Sequence, residues 1–198
     1  MLKQGKGNRP LKLVVGISGA SGSIYGIRLL QKLKQNKVET HLVITKWGQQ
    51  TIREETDYTI EKVKSLASFY YDEEEQGAAI SSGSFKIKGM IIAPCSMKTL
   101  SGIANGYADN LIIRAADVTI KEKRKLILVT RETPLNAIHL ENMLKLARLG
   151  VTIMPPVPAF YTRPRNVDDI VDSTVDRILD QFEIEDDSIK RWNGMQIV

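Results

Sequence analysis

An apolar run, Leu11-Lys-Leu-Val-Val15, passes directly into Gly16-Ile-Ser-Gly-Ala-Ser-Gly-Ser-Ile-Tyr-Gly26, and a helix-patterned segment follows. That order is strand, glycine turn, helix start. Glycines let the backbone turn tightly and let a ligand come close. A helix start offers unpaired N–H groups and a partial positive charge, which suit a phosphate. Ser18, Ser21 and Ser23 add hydroxyl donors. The expectation is a phosphate cradle at the first helix. A plain strand-to-helix turn is the alternative that a Gly-rich loop alone leaves open.

The loop departs from the dinucleotide fingerprint. Its glycines run Gly16-x-x-Gly19-x-x-Gly22, and the next apolar run, Val38-Glu-Thr-His-Leu-Val-Ile-Thr45, ends in Thr45 where an acidic ribose ligand would stand. No Gly-Lys-Ser/Thr follows, so a nucleoside triphosphate loop is excluded. One phosphate, as on a mononucleotide, fits best.

Apolar β-like runs at 11–17, 38–44, 89–93, 125–130 and 151–154 alternate with helix-like runs at 22–36, 46–55, 96–105, 109–123, 136–149 and 167–182. In the first helix Ile24, Ile27, Leu30 and Leu33 recur at helical spacing, with Lys32, Lys34 and Gln35 outward. Continuously apolar strands between helices predict an α/β fold with a parallel sheet covered on both faces. Ligands then sit beyond the carboxyl ends of the strands. Residues 56–88 are less regular: Asp72-Glu-Glu-Glu75 reads as a solvated acidic turn, and Ile80-Ser-Ser-Gly-Ser-Phe85 as a plain turn rather than a pocket wall. No internal repeat or linker marks a second domain. The predicted organisation is a disordered arm over 1–10, one domain over 11–182 and a polar tail over 183–198 carrying Trp192.

Composition narrows the function. The 198 residues, 42% hydrophobic and 26% charged, suit one globular domain with a sizeable core. No run reaches membrane-spanning length, and residues 1–10 lack a signal peptide's apolar core. The single cysteine, Cys95, excludes an internal disulfide and fits the cytoplasm, and with two histidines it makes a zinc site improbable. A net charge of +5 suits anionic small substrates, and no nucleic-acid-binding pattern accompanies it.

Three stretches carry candidate chemistry. In Pro94-Cys-Ser-Met-Lys-Thr99, Ser96 stands at a helix N-cap position, and its place beside the glycine loop makes it a ligand candidate. Cys95 reads as a packed thiol. In Arg131-Glu132-Thr133-Pro134, Arg131 suits an anion and Glu132 suits acid–base work; a surface ion pair is the bland reading. Arg114 and Lys121 share a helix face, although Asp117 can simply pair with Arg114. Phe160, Tyr161, Arg163, Arg165 and Arg177 offer aromatics and cations that can close over a second phosphate or remain surface charges.

Gly19-Ala-Ser-Gly22 with Tyr25-Gly26, Pro94-Cys-Ser96, Arg114-Ala-Ala-Asp-Val118, Arg131-Glu132 with Pro134, Ile138-His-Leu-Glu-Asn-Met-Leu-Lys-Leu146 and Phe160-Tyr161 together resemble the UbiX/Pad flavin prenyltransferases over about residues 11–192. This family was formerly described as aromatic acid decarboxylases. The resemblance implies a flavodoxin-like (Rossmann-like) three-layer α/β/α sandwich, assembled into dodecamers with sites at subunit interfaces. It implies a metal-independent enzyme that joins a dimethylallyl group to N5 and C6 of reduced FMN. The prenylated FMN then serves a UbiD-type decarboxylase.

By position, the resemblance assigns Gly19, Ala20, Ser21 and Thr45 to the FMN phosphate region. It assigns Ser96, Met97, Lys98, Thr99 and Arg131 to the flavin. Tyr161 and Arg177 match residues that bind dimethylallyl phosphate, and Arg114 and Lys121 match phosphate ligands reaching across subunits. Glu132 matches the catalytic glutamate, Glu55 and Ser21 match residues tied to phosphate departure and proton movement, and Trp192 matches a tail tryptophan near the site. Cations would stabilise the departing phosphate, Glu132 or that phosphate would take the C6 proton, and a dry pocket would protect the electrophile. The rival readings are a cysteine-type FMN decarboxylase and a non-catalytic flavin carrier. The first carries Pro-Ala-Ser-Ala-Asn-Thr where this chain has Pro94-Cys-Ser-Met-Lys-Thr99. The second has no need of Glu132 or the cations.

Overall fold

The computed structural model describes residues 11–185 and Gly194; the arm expected over 1–10 and Trp192 lie outside the described residues. Six strands form one parallel sheet: β1 (Lys12–Ile17), β2 (Glu39–Ile44), β3 (Phe69–Tyr71), β4 (Gly89–Cys95), β5 (Lys125–Thr130) and β6 (Thr152–Ile153). Their order is β3-β2-β1-β4-β5-β6. Setting aside the three-residue edge strand β3, this is the flavodoxin-like order. The chain winds from β1 toward one edge and from β4 toward the other, so the ligand crevice of such a sheet lies outside the carboxyl ends of β1 and β4.

The helices are α1 (Ser23–Gln35), α2 (Lys46–Glu55), α3 (Ile60–Lys64), α4 (Met97–Ala104), α5 (Leu111–Lys121), α6 (Ala137–Arg148) and α7 (Val167–Gln181). Alternate strand residues feed two cores, as the period of two requires. Leu13, Val15, Ile17, Ile91, Ala93, Ile127 and Val129 pack with residues of α1, α2, α3 and α7. Val14, Met90, Ile92, Leu126 and Leu128 pack with α4, α5 and Leu146 of α6. Both faces are covered, which is why the strands read as unbroken apolar runs.

The α1 helix is amphipathic as expected, with Ile27, Leu30 and Leu33 fully buried and Ile24 packed at the margin. Lys32 departs from its outward expectation. Its side chain is 11% exposed and its ammonium pairs with Asp176 of α7, while Arg28 pairs with Asp168 and Asp172 at 2.8 and 2.7 Å. Matching charges in the same order along both helices make α1 and α7 parallel.

The segment 56–88 holds more structure than its pattern suggests, namely α3, β3 and a 3-10 turn at Ala79–Ser81. The stretch 80–85 is a turn, as read, with Ile80 in the core and the carbonyls of Gly83 and Phe85 accepting from Arg124. The acidic turn is more than solvated. The Glu73 carboxylate accepts from the Lys46 amide at 2.6 Å and Glu74 pairs with the Lys46 ammonium.

Candidate functional site

Ser18 staples the two central loops together. Its amide and hydroxyl both donate to the Pro94 carbonyl, at 3.2 and 3.0 Å, and its hydroxyl accepts from the Ser96 amide at 2.8 Å. The Thr45 amide donates to Ile17 O at 3.0 Å, and the Arg131 amide to Cys95 O at 3.2 Å. The carboxyl ends of β2, β1, β4 and β5 are therefore cross-linked into one rigid edge. Gly19, Ala20, Ser21, Thr45, the segment 96–99, Arg131 and Glu132 all lie along it.

Four helices begin near this edge, and their N-termini differ in what occupies them. At α1, one oxygen of Glu55 accepts from the Gly22 amide at 2.9 Å and from the Ser23 amide and hydroxyl at 3.0 Å each. Burial works to raise the Glu55 carboxyl, but hydrogen bonds from Gly22, Ser21 and Ser23 outweigh it and hold the group below the ordinary carboxylate value. Glu55 thus occupies the Gly22 and Ser23 amides at the start of α1, while the Gly19 and Ser21 amides of the expected cradle have no acceptor among the described residues. At α2 the Thr45 hydroxyl accepts from Gly48 N at 2.9 Å and Glu73 takes the Lys46 amide. At α5 Asn110 caps the Ile113 amide and Glu73 O takes that of Leu111.

The start of α4 is open. Ser96 Oγ accepts from the Thr99 amide at 3.3 Å and donates to Thr99 Oγ1 at 3.1 Å, so it is the cap its position suggests. The Met97 and Lys98 amides of the first turn have no acceptor among the described residues, nor do those of Gly19 and Ser21 in the facing loop. Four unmet backbone donors on two loops joined by Ser18 suit the phosphate and ring oxygens of a flavin mononucleotide, because orphan helix amides favour anionic and carbonyl acceptors. The glycine loop and the segment 96–99, both singled out by the sequence, each supply two of these donors.

Exposed Arg131 and Glu132 stand at the end of β5, where Glu132 accepts from the Thr133 amide at 3.1 Å. Cys95 is fully buried, and burial pushes its thiol far above the ordinary range, which removes it as a nucleophile. Its β5 neighbour Thr130 is also buried, with a hydroxyl that has no partner among the described residues. Nothing in the local sequence singles out Thr130, and the acidic run that holds Glu73 reads as solvated because its partners, Lys46 of α2 and Leu111 of α5, are distant in the chain.

The remaining candidates sit farther off within one chain. Arg114 lies in the first turn of α5, paired with Asp117 at 2.8 Å. Lys121, paired with Glu122 at 2.5 Å, is seven residues on, about 10 Å toward the opposite end of the sheet at 1.5 Å per residue. Arg177 pairs with Asp180 at 3.1 Å, and it lies about 15 Å along α7 from Val167. Tyr161 follows the edge strand β6, two strands from β4. A single chain therefore gathers the flavin candidates along one edge, with Lys121 and Arg177 farther along α5 and α7 and Tyr161 beyond β6.

Among the described residues no three His, Cys, Asp or Glu side chains form a metal-binding group, and no helix is long and apolar enough to cross a membrane.

The Flavoprotein family model matches residues 2–179. The probable UbiX-like flavin prenyltransferase of Bacillus subtilis (strain 168) is 58% identical over 191 residues, covering 96% of this chain and 94% of that protein. The crystal structure of AnUbiX (PadA1) in complex with FMN and dimethylallyl pyrophosphate matches with a TM-score of 0.93 and 48% identity, over 95% of this chain and 100% of that one. A dodecameric FMN-dependent UbiX-like decarboxylase from Escherichia coli O157:H7 matches with a TM-score of 0.91 and 56% identity, over 93% of this chain and 100% of that one.

Proposed function

This chain belongs to the Flavoprotein family and, within it, to the UbiX-like flavin prenyltransferases, and on that basis we propose that its crevice joins a dimethylallyl group to reduced FMN. The observation that carries the reading is the open start of α4 facing the open amides of Gly19 and Ser21. These four donors hold the flavin, with Ala20, Thr45, Ser96 and Thr99 shaping the same edge and Arg131 contributing positive charge. Reduced FMN supplies the nucleophilic N5 and C6 positions that accept the five-carbon unit as phosphate leaves. Glu132 takes the proton released at C6, a role that its exposed position at the end of β5 beside Arg131 supports. Ser21, bonded to Glu55, moves a proton to the departing phosphate.

Tyr161, Arg177, Arg114, Lys121 and Trp192 complete the donor site from neighbouring copies. The placement of Lys121 and Arg177 far along α5 and α7 supports this, as does a broad apolar surface. Ile138, Leu140, Leu144 and Leu149 of α6 and its end, with Val157 and Phe160 beyond β6, are all more than half exposed. A patch of that extent marks an interface, and the structural relative from E. coli O157:H7 is dodecameric. The prenylated flavin passes to a UbiD-type decarboxylase in the cytoplasm, a reducing setting in keeping with one buried thiol.

Anaerobic incubation of the purified protein with reduced FMN and dimethylallyl phosphate, or the pyrophosphate, tests the reading by mass spectrometry of the extracted flavin. A flavin heavier by one C5 prenyl unit is expected. Unmodified flavin from a protein shown to bind FMN overturns it.

A further inference from the structure

Trp47 is 72% exposed, yet its backbone and Cβ are packed tightly at the crevice edge. Its backbone sits in the first turn of α2, fixed by the Thr45 cap. Two glycines allow that turn to press onto the end of β1. A Cβ on Gly19 would come within 2.3 Å of Trp47 Cβ, and a Cβ on Gly48 within 2.5 Å of Ile17 O. Any other residue at either position would push α2 away and carry the indole with it.

The indole adds nothing to either core. It also stands apart from the apolar surface of α6 and the segment after β6, which lies beyond β5 while Trp47 follows β2 on the other side of the crevice. An exposed aromatic ring, whose Cβ is pressed against the loop that carries the open Gly19 and Ser21 amides, is placed for a flat aromatic ligand.

We infer that Trp47 is a cofactor-contact residue whose indole stacks on the flavin ring and forms one wall of the site. The inference rests on the proposal that FMN binds in this crevice. Offset aromatic stacking contributes both affinity and orientation. An indole touching a flavin also quenches its fluorescence by electron transfer, a process confined to near contact.

The test compares FMN binding and the emission of saturated, bound FMN in the wild-type protein, Trp47→Phe and Trp47→Leu. The wild type is expected to bind FMN with strongly quenched emission. Trp47→Leu is expected to bind about fivefold more weakly, in line with the loss of one aromatic pair, and to recover bright bound-flavin emission. Trp47→Phe should restore affinity while leaving emission bright. Equal affinity and equal quenching in wild type and Trp47→Leu would overturn the inference and leave the crevice proposal standing. A Trp47→Leu protein that changes only its oligomeric mass would overturn it equally, by assigning the indole to a neighbouring copy. Failure of the wild type to bind FMN defeats both.

Discussion

Glu55 closes the start of α1 through Ser23, one carboxylate oxygen accepting from both the amide and the hydroxyl of that residue at 3.0 Å. The amide of Gly22 joins them at 2.9 Å. A negative charge at a helix N-terminus meets the partial positive charge of the helix as well as its orphan donors. Glu55→Ala should therefore cost about 0.5–2 kcal/mol, the range for loss of a helix cap. The folded carboxyl sits below its ordinary 4.5, so the unfolded chain binds its proton first as pH falls. The contribution is full above that value and is lost as pH drops through the folded one. Urea unfolding at pH 7 and pH 4 checks this, because the gap between wild type and Glu55→Ala should narrow at the lower pH. A gap unchanged with pH would mean that the charge plays no part.

His41 is buried on β2, with Nδ1 2.9 Å from the Tyr71 hydroxyl, Nε2 3.0 Å from Glu39, and its ring stacked on Phe69. Burial is the largest influence on it and outweighs the Glu39 hydrogen bond, so the group lies below the ordinary 6.5. The charged groups facing it are Glu39 and, from β1, Lys12, which pairs with Glu39 at 2.7 Å. The unfolded chain takes up this proton at higher pH than the folded one. Stability from His41 is full above the unfolded value and falls as pH drops toward the folded one. Thermal melts from pH 7.5 to 5.5 should show a falling midpoint in the wild type and a flatter profile in His41→Gln. Parallel profiles would remove His41 as the cause.

Gly26 lets α1 lie directly on β4. An added Cβ would meet the Ala93 carbonyl oxygen at 2.2 Å and the Ile17 side chain at 2.9 Å. Alanine improves intrinsic helix propensity by about 1 kcal/mol. Overpacking against a backbone oxygen costs about 1–3 kcal/mol or more. The clash should win, so Gly26→Ala is expected to be less stable and to bind FMN more weakly, since α1 cannot shift without moving the loop before it. Equal or greater stability in chemical unfolding would show that the α1–β4 contact has slack.

The parallel sheet was legible because β1, β2, β4 and β5 are buried on both faces and each keeps a continuous apolar run of three or more residues. Strand β3 was not, because three residues at an edge, Phe69 half exposed, carry too little pattern. Lys32 was misread because its partner Asp176 lies 144 residues away and helical periodicity reports only local geometry. The site shows the same division. The loops that end β1, β4 and β5 were recognisable from local residues. Which helix start remains open was not, since Glu55 and Glu73 reach α1 and α2 from across the fold.

Glu132 decides between an enzyme and a flavin carrier. It stands exposed after β5, next to Arg131, whose amide is tied to the β4 end through Cys95 O. Its only hydrogen bond among the described residues is the 3.1 Å contact from the neighbouring Thr133 amide, so replacing it disturbs no distant part of the fold. Glu132→Gln keeps the size and polarity of the side chain and removes its basicity. General acid–base groups contribute about 10²–10⁴ in rate, and turnover should fall by that order while FMN binding stays near wild type. Single-turnover formation of the prenylated flavin, followed by mass spectrometry beside an FMN titration, measures both. Undiminished turnover in Glu132→Gln would pass the C6 proton to the released phosphate alone. Loss of FMN binding would make Glu132 a flavin ligand instead of the base.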